Sequence, residues 1–198
     1  MTTQVADGVI YDGRKFVLCG RNGPELFDPT IYGLVPAAPS TACYRGWMAD
    51  FAVNDFLMLK DLFIFHDAGL PVLNRSPNGP LVNSIAPVDP NSWCGFNCLY
   101  QDVNLTTPFT GGLLIADGFI KQGGVNMGFH RFWEYEIVLE LIFESGHLQS
   151  VEDKSAVART VRQNHLGTDI LGHKNITDDT ATKDWIEHSF SLNYNRYL

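Results

Sequence analysis

The most regular set of ionisable side chains in the sequence is a series of glutamates, Glu134, Glu136, Glu140 and Glu144. Glycosidases use a pair of carboxylates that face each other across the sugar, about 5 to 9 Å apart. On a strand, Glu134 and Glu136 would stand about 6.5 to 7 Å apart, but both would point to the same side. Because two carboxylates on one face do not enclose a sugar, the series predicts an acidic surface that is open to solvent and to a basic partner.

Four cysteines and six histidines are the candidate metal ligands. Cys94 and Cys98 are the one closely spaced cysteine pair, whereas structural zinc sites combine two such pairs or complete one pair with histidines. Cys19 and Cys43 stand alone, and no histidine lies near residue 94. The sequence therefore predicts no metal and no other cofactor, and it favours buried, reduced thiols.

Signatures of hydrolases and nucleotide-binding enzymes are absent from the sequence. It contains neither HExxH nor GxSxG, and its glycine pairs at 111–112 and 123–124 open no predicted helix that could receive a phosphate. His66 and Asp67 begin an irregular segment, 66–108, in which prolines interrupt regular structure. A hydrolase-like site in this segment is the alternative to a non-catalytic function.

The charge balance limits the classes of partner. The chain of 198 residues carries a formal charge of −8 at pH 7, which repels the phosphates of nucleic acids. The same charge attracts a basic protein over a long range. No run of 18 apolar residues is present, so a membrane span is not predicted, and the first residues lack the pattern of a secretion signal. The expectation is a cytoplasmic protein with a protein partner.

The elements that must position these residues are predicted to be mainly strands. Aromatic residues make up 12% of the chain, and such side chains pack well on pleated strands. Apolar and charged residues alternate between positions 130 and 144, which predicts a half-exposed strand with aromatic side chains inward and glutamates outward. A further short strand is predicted at 81–86. Tight turns are predicted at Asp12-Gly13, Asn54-Asp55, Asp117-Gly118 and 144–146.

The last 45 residues have a different character. Asp153, Lys154 and Ser155 precede a segment with helical spacing of its apolar residues, and residues 178–180 precede a second such segment that contains Trp185. The fold prediction is a mainly β, β-rich α+β protein that forms a single domain over residues 1–198. An antiparallel β core over 1–152, a meander or a two-part sheet, is followed by a helical segment over 153–198 with one or two helices.

Two stretches of the sequence resemble a pattern in uncharacterised bacterial proteins. The first, STACYRGWMADFAVNDFLMLKDLFI, has an aromatic-Arg-Gly-aromatic strand, a polar turn and a strand of alternating leucines. In the second, FTGGLLIADGFI is followed by NMGFHRFWEYEIVLELIFESGHL, where an aromatic-Glu pair opens a strand that ends in a glycine turn. Some similar small acidic proteins are immunity partners of secreted bacterial toxins. The resemblance thus implies a non-catalytic inhibitor that covers the active site of a toxin.

On this interpretation the partner surface combines acidic side chains with exposed aromatic anchors. The predicted binding residues are Glu134, Glu136, Glu140, Trp93, Phe96 and Trp133. No catalytic residue and no metal ligand is predicted.

Overall fold

The computed structural model describes residues 3–67, 69, 77–91, 94–120, 128–165 and 191–194. Within these ranges the chain forms strands, one α-helix and two short 3-10 turns. The strands are β1 (Gly8–Tyr11), β2 (Arg14–Asn22), β3 (Trp47–Val53), β4 (Leu57–Ile64), β5 (Cys98–Tyr100), β6 (Leu105–Thr106), β7 (Gly111–Phe119), β8 (Tyr135–Glu144) and β9 (His147–Asp153). Helix α1 spans Ser155–His165, and the 3-10 turns span Pro29–Tyr32 and Phe132–Glu134.

All of these strands belong to one mixed sheet with the order β5-β4-β3-β1-β2-β7-β8-β9, and β6 also pairs with β4. The predicted β-rich class with a helix near the C-terminal end is confirmed. The strand order departs from a simple meander because β1 lies between β2 and β3, and it runs parallel to β3. Every other strand pair is antiparallel. The first strand of the chain therefore joins two groups of strands in the middle of the sheet.

Two of the predicted tight turns have the backbone that their residues favour. Asp12 and Gly13 both have positive φ, 49° and 70°, as a two-residue type I′ turn between β1 and β2 requires. Ser145 and Gly146 repeat this geometry between β8 and β9, with φ of 50° and 84°. The turn between β3 and β4 is also present, but it has three residues, because Val53 pairs with Leu57.

The hairpin predicted at Asp117-Gly118 is wrong. Strand β7 runs through both residues, and Asp117 pairs with Ile137 of β8. Only Gly118 has positive φ, 72°, whereas a type I′ turn requires it at both central positions. The Asp117 carboxylate instead accepts hydrogen bonds from Arg14, which holds the dipeptide in the ladder beside β2.

The irregular segment contains β5 and β6 and not the strand predicted at 81–86. Val82 and Ile85 form a single antiparallel bridge across a tight turn. Asn83 and Ser84 have φ of 48° and 67°, which reverses the chain too sharply for a strand. Residues 81–86 therefore form a turn in the long connection between β4 and β5.

The main core lies on one face of the curled sheet. It gathers side chains from β1 to β5, β7 and β8, although β5 and β8 lie far apart in the strand order. The curl is also seen where the β3–β4 turn meets the β8–β9 turn, because the Leu57 amide donates to the Gly146 carbonyl at 2.9 Å. A second buried cluster lies on the opposite face of β2, β7 and β8, where Ala158 of α1 and Tyr194 cover it.

This second cluster corrects the prediction for residues 130–144. The strand is present, but it begins at Tyr135 and is preceded by the 3-10 turn. Its supposed solvent face holds Phe132 and Val138, which are both buried under α1 and Tyr194. The strand is therefore covered on both faces for much of its length. The helix predicted after Ser155 is confirmed as α1, whereas the second helix and Trp185 lie outside the described residues. None of the described helices is long and apolar enough to cross a membrane.

Candidate functional site

The predicted acidic surface is largely absent, because two of its three glutamates are used inside the protein. Glu134 has a side chain only 12% exposed, and its carboxylate contacts His130 at 3.0 Å and accepts from the Arg131 amide at 2.8 Å. Glu140 is 14% exposed; it accepts from the Tyr194 hydroxyl at 2.7 Å and contacts Lys154 at 3.1 Å. The prediction that both are open to a partner is wrong, and only Glu136 is exposed.

The two predicted aromatic anchors that the structure describes, Phe96 and Trp133, do not form an exposed pair. Phe96 is 6% exposed and packs beside Cys43, Cys94 and the ring of Phe63, so its prediction as an exposed anchor is wrong. Trp133 is half-buried at the edge of the second cluster, and its carbonyl accepts a hydrogen bond from Arg162. Trp93 lies outside the described residues.

The alternative site near His66 and Asp67 shows structural contacts. His66 is buried, and its Nδ1 accepts a hydrogen bond from the Val35 amide at 2.9 Å, so that nitrogen carries no proton. The His66 backbone is bound at both its amide and its carbonyl by the Asn97 side chain. Asp67 is exposed, and its carboxylate accepts from the Gly69 amide at 3.0 Å. These contacts fix the loop and do not align the two side chains as an acid–base pair.

All four cysteines are buried, as the sequence predicts. Burial raises the pKa of each thiol, so each is neutral at physiological pH. Within the part of the chain that the structure describes, no three His, Cys, Asp or Glu side chains are grouped to hold a metal ion.

A cavity of about 480 Å³ lies elsewhere, at the N-terminal end of β1. Its volume is within the range of about 300 to 1,000 Å³ that small-molecule sites occupy. Apolar side chains supply part of the lining, namely Val5, Leu18, Leu26, Cys43, Trp47 and Phe129. Polar and charged side chains supply another part, namely Gln4, Asp7, Arg21, Glu25, Tyr44 and Arg45. The cavity can therefore hold a ligand with both an apolar and a charged portion.

The cavity exists because the chain turns away from the sheet before β1 begins. Upstream of Gly8, the Val5 amide donates to the carbonyl of Ala42 at 2.8 Å and no longer follows β2 or β3. Asp7 makes the last links to both neighbours, since its carbonyl accepts from Leu18 of β2 and its carboxylate accepts from the Ala49 amide of β3. Beyond Asp7 a gap opens between the end of β2 and the start of β3.

One wall of the cavity comes from the C-terminal part of the chain. Residues 191–193 line it, and the Leu192 carbonyl accepts from the Arg21 amide at 2.7 Å. Tyr194, the next residue, is buried against β2 and β7, where Gly20 and Gly112 leave room for its ring and hydroxyl. The Tyr194 contacts therefore fix this wall.

Arg45 is the most firmly positioned charged side chain in the cavity. Its Nη2 donates to the Asp7 carboxylate, its Nε donates to the Trp47 carbonyl at 2.7 Å, and its guanidinium carbon lies 4.0 Å from the centroid of the Trp47 ring. Burial alone would lower the pKa of Arg45, but the charge and hydrogen bond of Asp7 outweigh burial, and the net direction is upward. The guanidinium is therefore a permanent cation with a fixed orientation.

Arg45 also keeps hydrogen-bonding capacity for a ligand. A guanidinium has five N–H donors, and the contacts to Asp7 and Trp47 use two of them. Among the described residues no partner is seen for Nη1 of Arg45. Planar N–H donors of this kind suit carboxylate and phosphate oxygens.

Arg21 and Glu25 form a second ion pair at the cavity. Each of two Arg21 nitrogens donates to a different oxygen of Glu25. The Arg21 hydrogen bond lowers the pKa of Glu25 against the opposing effect of burial, and the charges of Arg21 and Arg45 lower it further. The side chain of Glu25 is 66% exposed, so this pair lies at the mouth of the cavity, where solvent weakens it. Glu25 can therefore be displaced more easily than Asp7.

The sequence does not predict the geometry of this site. Arg45 and Trp47 are two residues apart, but β3 begins at Trp47, and Arg45 lies in a turn in which Gly46 has a φ of 82°. The stacking of the Arg45 guanidinium on the Trp47 ring therefore depends on this turn and not on the alternation of a strand. No local signal indicates Asp7, which is 38 residues away from its partner Arg45. No known family model, curated protein or solved structure matches this chain, and the cavity is therefore interpreted from its own chemistry.

Proposed function

We propose that this chain is a non-catalytic binding protein that takes a small anionic ligand with an apolar portion into the cavity at the end of β1. The observation that carries the proposal is the orientation of Arg45, which Asp7 and the Trp47 carbonyl hold while Nη1 keeps its donors. A side chain fixed before binding loses little conformational freedom when the ligand arrives, which favours affinity. Val5 and Phe129 line the cavity and are only partly buried, so they offer apolar surface to the remainder of the ligand.

The balance of charge supports an anion over a cation. Asp7 and Glu25 are each paired with an arginine, so the four charges cancel. The unused donors of Arg45 require an acceptor from a ligand. A carboxylate or a phosphate at this position would also gain from Arg21 if it displaced Glu25.

The broad class agrees with the sequence expectation of a binding protein. The finer expectations, a toxin-neutralising role and a cytoplasmic location, stay predictions. The acidic surface and the aromatic anchors predicted for the toxin-neutralising role do not form a shared surface among the described residues. The cavity is therefore the basis of the proposed function.

Four probes with similar linear alkyl tails and different head groups test the proposal: octanoate, octyl phosphate, octanol and octyltrimethylammonium. Ligand at a hundredfold excess over its Kd stabilises the folded state by about 2.7 kcal/mol. For a chain of this length that corresponds to a rise in Tm of roughly 5 to 11 °C. We expect the two anions to raise the Tm and the alcohol and the cation to leave it unchanged. Equal effects of octanol and octanoate would contradict a role for Arg45.

Two variants and a matched control locate the effect. Arg45→Lys keeps the charge but not the planar donors, and Arg21→Gln removes the second cation at the mouth; both should weaken octanoate binding. Arg14→Gln removes an arginine from the exposed pair with Asp117, far from the cavity lining, and should leave binding unchanged. A loss of affinity in Arg14→Gln equal to that in Arg45→Lys would show that octanoate responds to overall charge.

A further inference from the structure

The outer edge of β9 is a second feature with binding capacity, separate from the cavity. In the described sheet β9 is the last strand, and β8 is the one strand that pairs with it. The Lys154 amide donates to the Val138 carbonyl at 2.8 Å, which fixes the alternation of inward and outward backbone groups along β9. Glu152 and Ser150, two and four residues before Lys154, therefore point their backbone groups toward β8. The N–H and C=O of Val151 and the N–H of Asp153 point away from it.

These outward groups have no partner among the described residues. The first part of the same edge is covered, because the Leu148 amide donates to the Asp55 carbonyl at 3.0 Å and Phe56 forms a bridge with His147. Residues 55–57 thus already lie beside the start of β9 like a short added strand. The remainder of the edge, residues 149–153, continues in the same direction, and no described residue pairs with it, so one further segment of about five residues could do so.

The side chains around this edge indicate which kind of protein segment could bind to it. Val151 is an exposed apolar side chain at the centre of this edge, and Phe56 is another beside the start of β9. Four exposed carboxylates flank it, namely Asp55, Glu144, Glu152 and Asp153. The nearby base Lys154 is already bound to Glu140 and Glu152. A second copy of the chain would bring the same carboxylates and another −8 of charge against the edge, which disfavours self-pairing.

We propose that the 149–153 edge of β9 binds an extended segment of another protein in which basic and apolar residues alternate. The segment would add a strand to the sheet, accept a hydrogen bond from the Val151 amide, and donate one to the Val151 carbonyl. Its apolar side chains would contact Val151 on the face of the sheet that Val151 shares with Leu141, and its basic side chains would meet Glu152 on the other face. This surface includes none of the cavity residues, so it stands or fails independently of the anionic ligand.

A synthetic seven-residue peptide of alternating lysine and valine is the probe, used with the full chain. Amide hydrogen exchange of the wild-type protein is measured with and without the peptide. We expect exchange at Val151 and Asp153 to slow by about tenfold or more at saturation, because both N–H groups lie at the pairing edge. A peptide of the same charge with proline in place of the central valine should give no such protection. Protection located elsewhere, or equal protection by both peptides, would overturn the proposal.

Two substitutions at one position separate strand addition from simple charge attraction. Val151→Pro removes an N–H that β8 does not use, and proline is tolerated where the N–H of an edge strand faces outward. Val151→Ala removes the same apolar contact but keeps the N–H. We expect the affinity for the lysine–valine peptide to fall about tenfold or more in Val151→Pro and to stay within about threefold in Val151→Ala.

Equal affinity of the two variants would overturn the proposal, since the backbone would then take no part. Circular dichroism shows whether Val151→Pro folds. If it does not fold, the proposal is judged by the wild-type protein alone, in which the peptide must slow amide exchange at Val151 and Asp153. Self-association that depends on the Val151 N–H, measured by sedimentation, would assign the edge to a second copy and overturn a basic partner.

Discussion

Substitution of Asp7 provides a direct measurement of how firmly the cavity is built. Asp7 is 5% exposed, and its carboxylate accepts both from Arg45 and from the Ala49 amide at 2.7 Å. Asp7→Ala leaves a buried cation without its partner and a buried amide without an acceptor. Breaking a buried pair in this way costs about 3 to 5 kcal/mol. Because the side chain of Arg45 is 27% exposed and water can solvate part of it, we expect about 3 kcal/mol.

Asp7→Asn separates the two contributions. The asparagine oxygen can still accept from the Ala49 amide, but it carries no charge for Arg45. We expect Asp7→Asn to be more stable than Asp7→Ala by about 1 kcal/mol, the usual net value of one hydrogen bond. The matched control is Arg14→Ala, which opens the exposed pair with Asp117 and should cost at most about 1 kcal/mol.

Urea unfolding at neutral pH measures these differences as shifts of the midpoint at constant slope. For a chain of this length a loss of about 3 kcal/mol also lowers Tm by roughly 6 to 12 °C. If Asp7→Ala lowered the free energy of unfolding by no more than Arg14→Ala, the predicted dependence of Arg45 on Asp7 would be refuted. In that case Arg45 would not depend on Asp7 for its position, and the cavity would lack a prepositioned donor for an anion.

Three further predictions concern other parts of the fold. Gly111→Ala should lower the free energy of unfolding in urea by about 3 kcal/mol or more, because Gly111 has φ of 147° and a Cβ there would overlap a backbone carbonyl of β2. The control Gly13→Ala has open space around it and should lower the free energy of unfolding by only about 1 kcal/mol. Equal losses in the two variants would contradict a steric role for Gly111. Tyr194→Phe should cost about 1 to 2 kcal/mol, because it removes the hydrogen bond to Glu140, and a loss below about 0.5 kcal/mol would show that the C-terminal wall does not depend on it. The pKa of Asp153 is lowered by hydrogen bonds at the start of α1, so its stabilising contribution is complete above pH about 4 and is lost as the pH falls through the folded-state value. Protonation of Asp153 should therefore reduce the helicity of α1 in acid, and Asp153→Asn should remove this pH dependence, as measured by circular dichroism. The same pH dependence in Asp153→Asn would show that the hydrogen bonds of the Asp153 carboxylate are not its source.

The sequence could predict local structure where the local residues alone decide it. Asp12-Gly13 and Asp117-Gly118 are the same dipeptide between apolar runs, yet the first forms a turn and the second lies within β7. The difference comes from tertiary contacts, since Asp117 is held by Arg14 and paired with Ile137 of β8. The sequence pattern around Asp117 carries no information about contacts with Arg14 or with β8. A turn can therefore be predicted from an Asp-Gly dipeptide, but the tertiary contacts determine whether the turn forms.

The same limit applies to the candidate sites. The alternation in 130–144 correctly predicted a strand, but it treated Glu134 and Glu140 as solvent-facing. Glu140 is bound by Lys154 and Tyr194, which come later in the chain. Glu134 lies in the 3-10 turn before the strand, where its carboxylate contacts His130 and the Arg131 amide. Charged residues that alternate with apolar ones need not face water when another element supplies partners. Conversely, the cavity depends on Asp7 and Arg45, whose contact only the assembled sheet creates.

The central position of β1 has a consequence for how the chain can be shortened or extended. Strands β3 to β6 lie on one side of β1, and β2 and β7 to β9 lie on the other. Loss of the first eleven residues would divide the sheet into two halves and would leave unpaired N–H and C=O groups on the edges of β2 and β3. Unpaired edges of this kind promote aggregation. Because β1 is the strand that connects the two halves, we expect truncation before Asp12 to prevent folding of the whole sheet.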